Sequence, residues 1–271
     1  MLVDTHCHLD IIIEKLVDAT KNSDAAQIAN KIVSEAHAGS VEALITVGTT
    51  LATSRLLVAE YLQIPGVFGA VGIHPCDASD TWREECGELE QLFRGPLRNK
   101  ILAIGECGLD FYHPGFVVEQ QEALFRAEIE CALQHNLPLI VHTRNAFDAT
   151  LAIIDEYGQR LPRGVFHCFS EDLTAAQKVV NRGFLLGMGG AVTYPKNQML
   201  RDVVRSIGLD HFVLETDAPF LPPQGFRGTI NTPAHVATVA HFLAEFLGRS
   251  YEEISEKTTA NAKRLFATDF V

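Results

Sequence analysis

The sequence predicts an α/β protein folded as a (β/α)8 TIM barrel, in one domain over residues 1–271. Three observations carry this. Strand-like and helix-like stretches alternate eight times along the chain, the count and length of such a barrel. Several strand-like stretches are short, nearly continuous apolar runs, as parallel strands covered on both faces should be. No Gly-x-Gly-x-x-Gly follows the first strand, which weighs against an open dinucleotide-binding sheet.

The elements follow in order. Residues 2–6 open on Leu2 and Val3, apolar and β-prone, and read as a strand running into a loop. Residues 25–38 carry Ile28, Ile32, Val33 and Ala36 at helical spacing. Strand 43–47 precedes helix 51–62, and strand 67–73 precedes a helix over 84–93. Strand 101–106 leads into the long helix 117–134, strand 137–142 into helix 146–157, and the short strand 165–167 into helix 173–181. Strand 184–188, helix 197–206 and strand 211–215 follow, and helices 233–247 and 251–266 close the chain.

Composition narrows the function classes. No apolar run approaches the roughly 18 residues that span a bilayer. No basic region followed by a long apolar stretch marks a signal peptide. Six cysteines are scattered without a Cys-x-x-Cys, which predicts reduced thiols and a cytoplasmic address. The net charge of -12 argues against broad nonspecific duplex binding, which depends on Lys and Arg at phosphates. It leaves room for a nucleic-acid enzyme in which bound divalent cations supply local positive charge.

Metal-type side chains gather at the predicted strand ends, where barrel enzymes place their chemistry. His6 and His8 close the first strand, and residues i and i+2 share one face. Glu106 ends the fourth strand, His142 the fifth and His167 the sixth, and Asp217 follows the eighth. Alternation puts Ile104 with Glu106, Ile140 with His142, Val165 with His167, and Glu215 with Asp217 on common faces. A lone strand-end His is ordinarily a hydrogen-bonding residue, and a lone carboxylate there is ordinarily a cap or loop charge. Together, four His and two carboxylates exceed the needs of one zinc ion. They suit two divalent ions, Zn, Mn or Mg, sharing a bridging carboxylate. Glu106 lies between the two His sets in strand order and is the expected bridge. His6, His8 and Asp217 complete one ion, and His142 and His167 the other.

Several strings resemble, in order, the TatD family of metal-dependent hydrolases and deoxyribonucleases. They are Asp4-Thr5-His6-Cys7-His8, Gly72-Ile73-His74-Pro75, Gly105-Glu106-Cys107-Gly108-Leu109-Asp110, His142-Thr143-Arg144, His167-Cys168-Phe169-Ser170 and Leu214-Glu215-Thr216-Asp217-Ala218-Pro219. Arg227-Gly228 and Asn231-x-Pro233 also look like that family. The resemblance implies a TIM-barrel metal hydrolase with ligands at His6, His8, Glu106, His142, His167 and Asp217. Retention of the N-terminal His pair favours two filled sites.

Two ions are expected to activate a water for attack on phosphorus or a carbonyl carbon, with Asp217 taking the proton. His74 is a candidate substrate or supporting contact, and Arg144 a bidentate phosphate clamp. Asp110 and Glu215 are expected to hold ligand His or basic partners. Cys7, Cys107 and Cys168 read as packing residues. Three functions stay open. One is a 3′–5′ exonuclease on single-stranded or frayed DNA. The second is a hydrolase of a small ester or amide on the same ions, and the third is a non-enzymatic metal-binding protein. A monomer is expected, with no membrane partner.

Overall fold

The computed structural model describes residues 1–20 and 24–270. Among these, β1 (Leu2–Cys7), β2 (Val41–Val47), β3 (Val67–Val71), β4 (Ile101–Asp110), β5 (Leu139–Arg144), β6 (Gly164–Phe166), β7 (Leu185–Met188) and β8 (Phe212–Leu214) form one parallel sheet. Each strand pairs with the next in sequence order. The sheet curls into a barrel whose seam joins β1 to the chain after β8. There Thr5 Oγ1 donates to the Leu214 carbonyl at 2.9 Å, and Cys7 bridges Ala218.

The helices are α1 (Leu9–Thr20), α2 (Ala25–Ala38), α3 (Leu51–Leu56), α4 (Trp82–Leu89), α5 (Val118–His135), α6 (Phe147–Glu156), α7 (Leu173–Val180), α8 (Gln198–Ile207), α9 (Val236–Leu247) and α10 (Tyr251–Phe266). Local chemistry sets several of their ends. Asp172 caps α7 by accepting from Ala175 N–H, and Ser250 caps α10 by accepting from Glu253 N–H. Asn136 and Gly248 end α5 and α9 in the left-handed region.

Two apolar layers hold the barrel. Inside it, Val3, Ile45, Phe68, Leu102, Ile140, Val165, Leu185 and Val213 pack together. Phe270, from the C-terminal tail, lies edge-on to Phe68 at 5.4 Å between centroids, near the start of β3. The bottom of the barrel is thus filled by apolar rings, and the polar residues are left to the top. Outside, the helices bury Phe125, Ile129, Val179 and Val239 against Val71, Val141, Phe166 and Leu214. Each fully buried ring or branched side chain there contributes roughly 1.5–3 kcal/mol.

The structure departs from the sequence expectations in three places. Helix α1 was not anticipated. Its β-branched run Ile11-Ile12-Ile13 has no clear helical spacing, yet Ile12 and Ile13 are buried in the outer layer. Glu106 and His142 do not end their strands, because β4 continues to Asp110 and β5 to Arg144. Ile104 does not share a face with Glu106. It belongs to the outer layer, and the pairing of β4 with β5 shifts between Ile104 and Cys107. A one-residue slip in a strand exchanges its two faces. Two glycines accommodate the irregular stretch. A Cβ on Gly105 (φ 153) would come within 2.7 Å of the Ile140 carbonyl, and one on Gly108 (φ 128) within 2.1 Å of the His142 carbonyl.

Candidate metal centre

The seam of the barrel places the first donor group. Asp4 is fully buried and accepts from Thr216 N–H at 2.9 Å and Thr216 Oγ1 at 2.6 Å, which ties β1 to the loop after β8. Asp217 N–H donates to the His6 carbonyl at 2.9 Å. Asn231 Nδ2 holds the Thr216 and Phe220 carbonyls at 2.8 and 2.6 Å, clamping that loop from outside. Asp217 itself sits at φ 54, a conformation that costs a non-glycine residue and that this network maintains.

Four donor atoms meet there. His6 Nε2 and His8 Nε2 are 3.1 Å apart. Glu106 Oε2 lies 3.4 Å from His6 Nε2 and 3.7 Å from His8 Nε2. Asp217 Oδ1 lies 3.7 and 3.6 Å from the same nitrogens. A tetrahedron with metal–ligand bonds of about 2.1 Å has edges of about 3.4 Å, so these separations fit a metal ion. The His8 tautomer agrees. Its Nδ1–H donates to the Val47 carbonyl at 3.2 Å, which leaves Nε2 as a lone-pair donor.

The other carboxylate oxygen of Glu106 faces the second His set. Glu106 Oε1 is 2.8 Å from His167 Nε2 and 2.9 Å from His142 Nδ1. On its far side, His142 Nε2 is 3.0 Å from Asp110 Oδ2, which fixes the ring. Glu215 is fully buried. Its Oε1 accepts the Cys168 N–H and lies 3.9 Å from His167 Nδ1. His6 Nδ1, His167 Nδ1 and Glu215 Oε2 are buried without a hydrogen-bond partner among the described residues.

His74 approaches the same oxygen of Glu106, at 3.6 Å from Nε2. Its Nδ1 accepts the Cys76 backbone N–H at 3.1 Å, so in the neutral ring Nε2 carries the hydrogen. His74 is therefore set up to donate a hydrogen bond rather than to bind a metal. Burial holds its pKa down to about 4, so it is neutral.

The electrostatics show which charge the donor set favours. Burial pushes His6 down to about 4, keeping it neutral as a metal ligand must be. At His167 burial also opposes the charged form, but the carboxylates of Glu106, Glu215 and Asp217 outweigh it and carry the pKa up to about 10. At Glu106 burial opposes ionisation, and the surrounding imidazoles, His167 foremost, still hold the carboxyl well below its usual range. Without a metal, the buried carboxylates draw protons onto imidazoles. Divalent cations would supply that positive charge, and the donor set of imidazole and carboxylate suits them.

These groups line a cavity of about 910 Å³ at the mouth of the barrel. Arg144, exposed at the end of β5, lies on its wall with the guanidinium 3.8 Å above the Tyr112 ring. Stacking fixes the plane of that group and leaves its N–H donors for another partner. Tyr194, Lys196 and Phe220 also line the cavity and were not singled out in the sequence, where no motif marks them. Cys7 and Cys107 are buried as packing residues, but the Cys168 thiol lies 3.8 Å from Asp217 Oδ2 and borders the cavity.

A family model described as TatD related DNase matches residues 3–267. The uncharacterized metal-dependent hydrolase YcfH of Escherichia coli K12 is 37% identical over 272 residues, covering 99% of this chain and 96% of that protein. The 3'-5' ssDNA/RNA exonuclease TatD of Citrobacter rodentium is 31% identical over 243 residues, covering 88% of this chain and 91% of that protein. Among solved structures, YJJV, a TatD homologue from Escherichia coli K12, matches with a TM-score of 0.86 at 28% identity and covers 98% of each chain.

Proposed function

The chain belongs to the TatD family of metal-dependent hydrolases, and from that premise we propose that it is a deoxyribonuclease removing nucleotides 3′ to 5′ from single-stranded or frayed DNA. The observation that carries this reading is the position of Glu106. It offers Oε2 to His6 and His8 and Oε1 to His142 and His167, beneath a cavity walled by the guanidinium of Arg144 stacked on Tyr112. The Citrobacter rodentium relative named as a 3'-5' exonuclease supports it.

In this reading His6, His8, Glu106 and Asp217 would hold one divalent ion, and Glu106, His142 and His167 would hold a second. Zinc, manganese and magnesium all suit the set. The chemistry such ions supply when bound is polarisation of a phosphoryl oxygen and acidification of water. The chain supplies the rest. Arg144 takes a phosphate oxygen pair through its planar fork and positions the chain end. His74 donates its Nε2–H to an oxygen of the reacting group. Asp217, at the rim of the donor group, accepts the proton released by the attacking water. Asp110 and Glu215 hold His142 and the Cys168–His167 segment in place. Phe220, which is exposed, offers an apolar ring to a terminal base.

A second reading, a hydrolase of a small ester or amide, is favoured by the apolar wall of the cavity, formed by Ile11, Met188, Val192, Met199 and Leu200. One assay separates the two. Metal-reconstituted protein is incubated with end-labelled single-stranded DNA beside a panel of small esters and lactones. Progressive shortening of the labelled strand supports the nuclease. Turnover of an ester with intact DNA would replace it with the second reading.

A further inference from the structure

We propose that Cys76, Asp110 and His113 form a third metal site, separate from the donors around Glu106, that takes one zinc-class divalent ion through a thiolate. Cys76 Sγ lies 3.4 Å from His113 Nδ1, and His113 Nδ1 lies 2.8 Å from Asp110 Oδ2. One donor atom from each of the three residues falls within 4.8 Å of the other two. A tetrahedral zinc ion with bonds of about 2.3 Å to sulfur and about 2.0–2.1 Å to nitrogen and oxygen needs edges of about 3.4–3.6 Å. The sulfur–nitrogen edge is already there. The nitrogen–oxygen edge opens by a small swing of His113, whose ring is about half exposed.

The donors are aimed by the backbone. Asp110 Oδ1 accepts the N–H groups of Tyr112 and His113 at 2.8 and 3.0 Å, which sets Oδ2 between His142 Nε2 and His113 Nδ1. Cys76 sits in the 3-10 turn Pro75–Asp77, held by its own N–H on His74 Nδ1. The thiol is exposed, so an ion can reach it from solvent. The loop after β3 and the end of β4 with its following loop thus converge one soft, one borderline and one hard donor beside the main cavity, which His113 also lines. Soft thiolate selects zinc and its neighbours over magnesium and manganese. Occupation forms one sulfur–metal bond and releases the Cys76 thiol proton to solvent. Cys76 and His113 belong to neither donor group of the Glu106 centre, so this site stands or fails independently of that reading. It meets that centre through Asp110 alone, whose Oδ2 is shared with His142.

The test is titration of the metal-free, full-length protein with Co2+, followed by thiolate-to-cobalt charge-transfer absorption. The proposal expects the band to saturate within three equivalents at the intensity of one thiolate-bound cobalt per chain, to vanish in Cys76→Ser and to weaken in His113→Ala. Zinc content should fall by one ion per chain in Cys76→Ser, and manganese content should not change. A wild type without the band, or a band that persists in Cys76→Ser, overturns it. A second measurement needs no variant. Zinc should protect Cys76 of the folded protein from alkylation, read by peptide mass, and unprotected alkylation at saturating zinc overturns the site.

Discussion

Asp110 Oδ2 lies 3.0 Å from His142 Nε2, and this contact turns the opposite ring nitrogen to within 2.9 Å of Glu106 Oε1. A buried carboxylate behind an imidazole fixes its tautomer and raises its basicity as a ligand. Asp110→Asn keeps the shape but removes the charge. Affinity for one of two manganese ions should fall about 10–100-fold, with the ion at His6 and His8 retained. Calorimetry on the metal-free protein measures this, and two unchanged binding steps would remove Asp110 from the centre.

Asp217→Asn should lower kcat by about 10²-fold or more, the range of a lost general base. Asp217 also stands among the metal donors, so manganese content is measured beside the rate. Near-normal turnover with full metal would take the proton transfer away from Asp217.

Arg144 separates phosphate from other substrates. Arg144→Ala should cost DNA cleavage about 2 kcal/mol in kcat/KM, the scale of a charge-assisted hydrogen bond. Arg144→Lys should recover part of it, because an ammonium cannot form the planar fork or keep the stack on Tyr112. Small-ester hydrolysis and metal content should hardly respond. Equal losses on DNA and ester would point to a structural role for Arg144.

Glu128 predicts a pH dependence of stability away from the centre. Its Oε1 accepts the Ile73 N–H at 2.9 Å, while Oε2 is buried without a partner among the described residues. Burial raises its pKa well above the usual 4.5, so the folded protein holds this carboxyl protonated where the unfolded chain ionises. Stability from this group is complete below the unfolded pKa and is lost as pH rises from there toward the folded pKa. Glu128→Gln cannot ionise and keeps the acceptor for Ile73. Its melting temperature relative to the wild type should climb as pH rises above the usual carboxylate range. Parallel profiles would show that Glu128 is charged in the folded state.

The alternation of strands and helices was readable because parallel strands covered on both faces leave apolar runs with turns between them. The meeting of His6, His8, Glu106, His142, His167 and Asp217 at the barrel mouth was readable for a related reason. Polar, metal-type residues stand out beside strands as apolar as Leu139-Ile140-Val141. What stayed hidden depends on geometry that spacing does not encode. The irregular stretch of β4 moves Ile104 to the outer layer, and no pattern before Glu106 announces it. The stack of Arg144 on Tyr112 and the meeting of Cys76 with His113 join residues far apart in sequence, from different elements. Helix α1 forms because the fold buries its isoleucines, not because its local sequence prefers a helix.

In the proposed centre one carboxylate, Glu106, binds two ions. This bridging is tested most directly by the manganese content of wild-type and Glu106→Gln protein after equilibrium dialysis, with circular dichroism confirming that both are folded. Manganese is the probe because it avoids the thiolate of Cys76. The account predicts about two ions per chain in the wild type and loss of most of both in the variant, since an amide cannot share charge between two cations. One tightly held ion in the wild type, unaffected by Glu106→Gln, would contradict it.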